Sequence, residues 1–335
     1  MSTNEDLFRR AELNYKNKNY QAAIEDYTRF LQLNPNESKA YWQRGGAWVE
    51  LGNNQEAIKD YTQSLKFQPD LVHVYITRAA IFKDTGNLQR AIDDCTHALS
   101  LGSDWDNIAY SLRGDCYGVL ENYQAALQDY SQSIRLQPEE IESYQKRGFI
   151  HKEIKNYHEA IEDLTKVLQR NSESSELVHC YHLRAGCHQS LRDWEEAIRD
   201  YTEVIRRDPT YYHAYIGRGG AYMFLNDRES AASDLETAAI LSQAQGDTEG
   251  YQNAMKVMEV LRIKHRSSSS DISDNKQRPV QMSHVVAAIL FPPLGVFLTV
   301  GLGIHFWISL VLTFVFTWIP GMIHAVWLVY NHDRS

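Results

Sequence analysis

Apolar and polar positions alternate along the first 240 residues with the spacing of amphipathic helices, and the helical segments come in pairs. The stretch YWQRGGAWVELGNNQEAIKDYTQSLKFQP from Tyr41 recurs as YITRAAIFKDTGNLQRAIDDCTHALSLGS from Tyr75. It returns from Tyr110, Tyr144, Tyr181 and Tyr215, and an earlier copy begins near Leu7, at intervals of 34 to 37 residues. Such self-similarity predicts an all-α solenoid, in which each helix-turn-helix unit buries its apolar face against its neighbours. Seven units over residues 4–243 are expected. Residues 247–265, DTEGYQNAMKVMEVLRIKH, read as one more amphipathic helix that covers the last unit.

Three positions recur in every unit. Ala11, Gly45, Ala79, Gly114, Gly148, Ala185 and Gly219 follow the opening residue by four. Ala23, Ala57, Ala91, Ala126, Ala160, Ala197 and Ala231 mark close approach in the second helix. Between the helices stands Asn19, Asn53, Asn87, Asn122, Asn156, Asp193 or Asp227, where a side-chain oxygen is expected to accept from the free amides of the second helix. Prolines close four units, at Pro35, Pro69, Pro138 and Pro209. This set resembles the tetratricopeptide repeat. The resemblance implies a right-handed superhelix whose first helices line a concave groove for a protein or peptide. Groove positions then fall on Phe8, Trp42, Ile76, Ser111, Gln145, His182 and Ile216, with a second row of Tyr15, Val49, Lys83, Gly118, Lys152, Gln189 and Met223. The N-terminal end of the two rows, Phe8, Tyr15, Trp42, Val49, Ile76 and Lys83, is the expected binding surface, unless these side chains pack against a terminal helix or a neighbouring molecule. A clamp of lysines and asparagines for a peptide carboxylate is disfavoured, because Asn is absent from the matching positions and Asp115 occupies one of them.

An arginine and an aspartate stand 16 residues apart in every unit, from Arg10/Asp26 to Arg218/Asp234. Regular recurrence favours an ion pair that ties the two helices over a ladder of ligand-binding charges. Cys95, Cys116, Cys180 and Cys187 show no paired spacing and replace alanines or an aromatic of other units, so buried thiols in a reducing, cytosol-facing protein are expected. His179 and His182 lie one turn apart and His213 repeats the first of them, which leaves ordinary polar surface or a metal site open. No cofactor is implied. No nucleophile–base pair or phosphate loop stands out, so the reading is non-catalytic.

The charge pattern divides the chain. Its 335 residues carry a formal net charge of −9, but residues 1–261 hold 28 basic against 40 acidic side chains. Such a body does not suit a nucleic-acid backbone. Residues 262–278 hold five bases (Arg262, Lys264, Arg266, Lys276, Arg278) against Asp271 and Asp274. The segment RSSSSDISDNKQRPVQM, 266–282, reads as a flexible tether. From Pro279 to His332 there is no Asp, Glu, Lys or Arg over 54 residues. Two apolar runs, 285–302 and 306–330, are each long enough to span a bilayer and are joined by a tight turn. A two-span hairpin over 283–332 is therefore expected, with no solvent face that would suit a soluble helix pair. Bases flank the hairpin and none lie between the spans, which predicts that body and C-terminus are cytoplasmic, at the plasma or inner membrane. The N-terminus lacks the apolar core of a secretory signal.

The hairpin residues Pro292, Pro293, Gly295, Val296, Gly301, Gly303, Phe306, Trp307, Ile319, Pro320, Gly321, Ile323 and His324 closely resemble the small two-span plasma-membrane proteolipids known as membrane potential modulators. That resemblance implies a part in cation homeostasis and stress tolerance. Thr299, Ile304 and His305 stand where members carry charges near the turn, which weighs against direct ion contact there. His324 is the titratable group inside the second span, a candidate for proton or ion handling or a tolerated interfacial imidazole. Self-association of the hairpin through its small residues is the competing use. A scaffold that recruits a partner to the bilayer is the leading expectation; a membrane modulator regulated or clustered by the repeats is the alternative.

Overall fold

The structure, a computed structural model, describes residues 4–170 and 177–269, with side chains through Val260. The expected hairpin, with Pro292, Pro293, Gly295, Gly301, Gly303, Trp307, Pro320, Gly321 and His324, lies outside the described residues. Fifteen helices are present among the described residues, and none is long and apolar enough to cross a membrane.

The chain forms two compact units, divided after Pro209. The first contains α1 (Asn4–Lys16), α2 (Tyr20–Leu33), α3 (Ser38–Glu50), α4 (Asn54–Phe67), α5 (Val72–Asp84), α6 (Leu88–Leu101), α7 (Asp106–Val119), α8 (Tyr123–Leu136), α9 (Ile141–Glu153), α10 (Tyr157–Arg170), α11 (Val178–Leu191) and α12 (Trp194–Arg207). Each odd helix packs on the even helix that follows, and each pair packs on the next pair. The second unit contains α13 (Tyr212–Phe224), α14 (Arg228–Ala244) and α15 (Thr248–Ser269), with α14 packed on both others.

The recurring alanines of the even helices, Ala23 to Ala231, are fully buried, so the backbones meet where only a methyl group fits. Opposite them the small residues of the odd helices admit a large neighbour. A side-chain carbon on Gly45 would lie 2.7 Å from the Tyr61 ring, and on Gly114 2.9 Å from that of Tyr130. The third pair solves the same volume differently, with Ala79 and the buried Cys95 in place of glycine and tyrosine. All four cysteines are buried and free, and burial raises their thiol pKa values, to about 11 for Cys116, Cys180 and Cys187.

The 16-residue spacing places arginine and aspartate face to face in all seven pairs. Arg44 Nε and Nη2 donate to the two Asp60 oxygens at 2.8 and 2.7 Å, and Arg218 does the same to Asp234 at 2.8 Å for both. The third nitrogen does what the spacing did not reveal. Arg44 Nη1 donates to Thr28 Oγ1 of the preceding pair at 3.0 Å, and Arg78, Arg113, Arg147 and Arg184 reach Thr62, Thr96, Ser131 and Thr165 in the same way. Each guanidinium also lies over the tyrosine that opens its unit, as Arg44 does over Tyr41 at 5.6 Å. One side chain thus binds helix to helix and pair to pair.

The expected caps are corrected in part. Asn19, Asn53, Asn87, Asn122, Asp193 and Asp227 do occupy N-cap positions, but the side chain accepts a cap bond only at Asn122, from Ala125, and Asp227, from Ser230. The turn is held by backbone instead. The residue before each of the seven is left-handed: Lys18, Gly52, Gly86, Glu121, Lys155, Arg192 and Asn226. The amide of the Asn or Asp then donates to the carbonyl five residues back, as Asn53 does to Trp48 at 2.8 Å. This is the Schellman closure, and it satisfies the carbonyls at the end of the odd helix.

Candidate partner-binding groove

The odd helices of the first unit carry the two rows of expected groove residues about two turns apart. Phe8 on α1 is half-buried, with its ring 5.7 Å from Tyr27 and 5.1 Å from Phe30, and the Lys39 ammonium sits 5.0 Å from its centre. Tyr15, about two turns on, meets Tyr20 edge-on at 5.5 Å, and burial followed by the charge of Glu50 raises its pKa. Trp42 lies edge-on against His73 at 4.7 Å, and Val49 packs with it into the cluster around Tyr61. Ile76 is buried beside Ala79, Phe82 and Leu112. The aromatic N-terminal end is therefore largely used up in joining one pair to the next.

Polar side chains missed by the two-row reading fill the row between them. Glu12 accepts from Lys39 at 3.0 Å and from Gln43 at 3.1 Å, while Gln43 accepts from the Tyr27 hydroxyl at 3.2 Å. Burial opposes charge on Glu12, but the bonds from Gln43 and Lys39 outweigh it and hold its pKa below the usual range. A second cluster is centred on Asp115. Its carboxylate takes Lys83 at 3.3 Å, Lys146 at 2.8 Å and the Tyr130 hydroxyl at 3.0 Å. Burial works against the Lys146 charge, yet Asp115 and then Glu142 raise its pKa above the ordinary lysine value. Lys83 is thus committed to an internal ion cluster. The signal was in the sequence: Glu12 and Asp115 follow Phe8 and Ser111 by four, and so share their face.

Exposed apolar surface lies further along the first unit. Ile108 and Val119 on α7 and Phe149 on α9 are 42%, 67% and 41% exposed, with Trp105 just before α7 at 50%. Phe149 occupies the same repeat position as Glu12 and Asp115. Around it stand Lys146, bound to Asp115, and Lys152, bound to Glu153 at 3.0 Å. The combination offers apolar area bordered by paired charges, which suits a protein or peptide surface.

The three candidate histidines each have their own surroundings. Partial desolvation and then the Lys152 charge lower the pKa of His179; His182 lies 5.7 Å from the Tyr201 ring, and His213 rests on Tyr212 at 4.1 Å. Among the described residues no group of three or more His, Cys, Asp or Glu side chains is gathered closely enough to hold an ion.

Paired helices with this closure and this Arg–Asp–Thr linkage define a tetratricopeptide-repeat protein. Tetratricopeptide-repeat profiles match residues 8–71, 109–140, 141–174 and 188–248. The fold is that of the C-terminal part of a TPR repeat-containing protein from Cytophaga hutchinsonii, with a TM-score of 0.62 and 19% identity over 73% of this chain and 98% of that one. It is also that of YrrB, described as a TPR protein with an unusual peptide-binding site, with a TM-score of 0.51 and 22% identity over 58% and 97%. The C-terminal segment is similar to a UPF0057 membrane protein of Synechocystis sp., 53% identical over 45 residues, 13% of this chain and 83% of the relative. It is likewise similar to a salt stress-induced hydrophobic peptide of Thinopyrum elongatum, 51% identical over 13% and 82%. Through residues 281–330 the chain belongs to the family described as the proteolipid membrane potential modulator.

Proposed function

We propose that this protein is a membrane-anchored scaffold, whose repeats recruit a protein or peptide to the bilayer that holds its C-terminal hairpin. One observation carries the reading: a repeat body of the kind that binds peptides and a membrane-proteolipid segment occur in one chain. The domain plan that follows is repeats over 4–243, a covering helix that runs to Ser269, four residues into the stretch expected as tether, the rest of that tether to 282 and a two-span hairpin over 283–332. Both ends and the body then lie on the cytoplasmic side, because bases flank the hairpin and are absent between its spans. The role is non-catalytic. The partner lies along the odd-helix face of the first unit, against Ile108, Val119 and Phe149, with Phe8, Tyr15, Trp42, Val49, Ile76 and Lys83 shaping that face from within.

Carbonate washing of membranes that contain the full chain, with protease added from either side, tests the anchor. Retention, with the repeats cut only from the cytoplasmic side, is expected. Release by carbonate, or cutting from the opposite side, would contradict the anchor or its orientation.

A second reading has its own support in the family description and in the stress-induced relatives. Here the hairpin, self-associated through Gly301 and Gly303 or acting at His324, alters membrane potential or cation leak, and the repeats cluster it. Rescue of a salt-sensitive null strain by residues 279–335 alone would favour this reading. Rescue only by the joined chain would favour recruitment.

A further inference from the structure

The second unit is the described part of the chain that precedes the C-terminal apolar segment. Three-residue turns join α13 to α14 and α14 to α15, so the helices run up, down and up. The end of α15 therefore lies at the same edge as the α13–α14 turn. Helix α15 has 22 residues and α14 has 17, about 33 Å against 26 Å, so α15 reaches about one and a half turns beyond that edge. Its start is fixed. Asp247 accepts from the amides of Glu249 and Gly250 at 3.0 Å each and from the Tyr212 hydroxyl, and a side-chain carbon on Gly250 would lie 2.6 Å from the Tyr212 ring. Ala254 is fully buried against α13 and α14.

Two features meet at this edge. Phe224 and Leu225, at the end of α13 and in the turn, are each 40% exposed. Arg262, Lys264 and Arg266 lie in the last turns of α15, in a chain segment with net charge +3 that follows a body with net charge −12. The turn itself carries one base, Arg228, between two acids, Asp227 and Glu229, a net of −1 against the three bases of α15, and Asp227 accepts from the amide of Ser230. From Ser269 to the start of the first apolar run at Val285 there are sixteen residues, a tether that reaches roughly 55 Å when extended. The tether therefore permits contact between the edge and the bilayer without forcing it.

We propose that this edge, with Phe224 and Leu225 of the α13–α14 turn and the basic last turns of α15, docks on an anionic bilayer surface. The inference rests on the reading that residues 281–330 lie in the membrane. Bases attract anionic headgroups, each increasing the bound fraction roughly fivefold, while an exposed Phe–Leu pair suits the interfacial layer. The tether raises the local concentration of the surface, so weak sites suffice.

The test uses the full chain in vesicles of phosphatidylcholine, alone or with phosphatidylserine. A fluorophore on Leu225→Cys reports contact with nitroxide-headgroup lipid, and one on Leu33→Cys in the first unit serves as control. Expected is strong quenching at position 225 with phosphatidylserine, lost at high salt and weak with phosphatidylcholine alone. The variant Arg262→Gln/Lys264→Gln/Arg266→Gln should lower the bound-to-free ratio on the order of a hundredfold. Equal quenching in both vesicles, or none, or indifference to the triple variant would overturn the docking. Carbonate extraction of the same vesicles separates the two failures. A chain that resists extraction without quenching removes only the docked edge, whereas an extracted chain removes the anchor as well.

Discussion

The first helix pair and the interior pairs of the first unit use the same residues with different results. Arg10 and Arg44 each hold an aspartate through two nitrogens, but the Arg10 side chain is 49% exposed and that of Arg44 17%. Arg44 bonds back to Thr28 of the pair before it, whereas among the described residues no pair stands before α1–α2 to offer Arg10 such a group. In this pair Asn14 of α1 donates to Asp26 at 3.1 Å, at a repeat position filled elsewhere by Trp48, Phe82, Tyr117, His151, His188 or Tyr222. Asn14 thus gives Asp26 a third donor beside the two nitrogens of Arg10. The identical motif therefore ties two helices in one place and also staples neighbouring pairs in another.

The largest test of that difference is removal of the carboxylates. Asp60→Ala leaves a buried guanidinium unpaired and should cost about 3–5 kcal/mol, while Asp26→Ala, beside a solvated Arg10, should cost well under half as much. Hydrogen exchange of the full chain in detergent would separate them by the protection lost in α3–α5 against α1–α2. Equal losses would mean that the link to the preceding pair contributes nothing.

Aromatic truncation sharpens the same contrast along the groove. Phe8→Ala removes a ring packed on Tyr27 and Phe30 and should destabilise by about 2–3 kcal/mol; Phe149→Ala should stay within about 0.5 kcal/mol. Partner capture should respond in the reverse order once loss of fold is accounted for. Between these in size, Gly45→Ala should cost about 1–3 kcal/mol, because the Tyr61 ring must move aside.

Acidity has a defined direction. Burial lowers the pKa of His73, His151 and His179, with Asp163 and Glu159 partly opposing this at His151. The unfolded chain then binds more protons than the native one below the ordinary histidine value of 6.5, so stability is full above it and falls as pH drops toward the native values. The thermal midpoint should fall between pH 7 and 5, and His151→Gln should flatten that slope. The smallest effect is a gain: Glu121→Gly or Lys155→Gly relieves a left-handed backbone and should stabilise by about 0.5–1 kcal/mol.

These contrasts show what the sequence could disclose. The period, the Arg–Asp spacing, the buried alanines and the inert thiols are all visible because they repeat in register with the fold. The left-handed turn was hidden, since only Gly52 and Gly86 signal it while lysine, glutamate, arginine and asparagine adopt it elsewhere. The threonine acceptors were hidden because their partners lie in the next unit, 16 to 19 residues away. For the groove, helical spacing located the face but not its use. Whether Phe8 is presented or packed depends on Tyr27 and Phe30 of another helix, and Lys83 on Asp115 two helices on. Exposed Ile108, Val119 and Phe149 emerged only once those partners were in place.

The central claim is recruitment of a partner to the membrane by the repeats. Crosslinking and affinity capture from solubilised membranes would compare the native chain with an Ile108→Asp/Phe149→Asp variant of matched thermal midpoint. The account expects a protein captured with the native chain and lost from the variant, while both chains remain in the membrane fraction. The same captured set from both chains, or none from either, would contradict it.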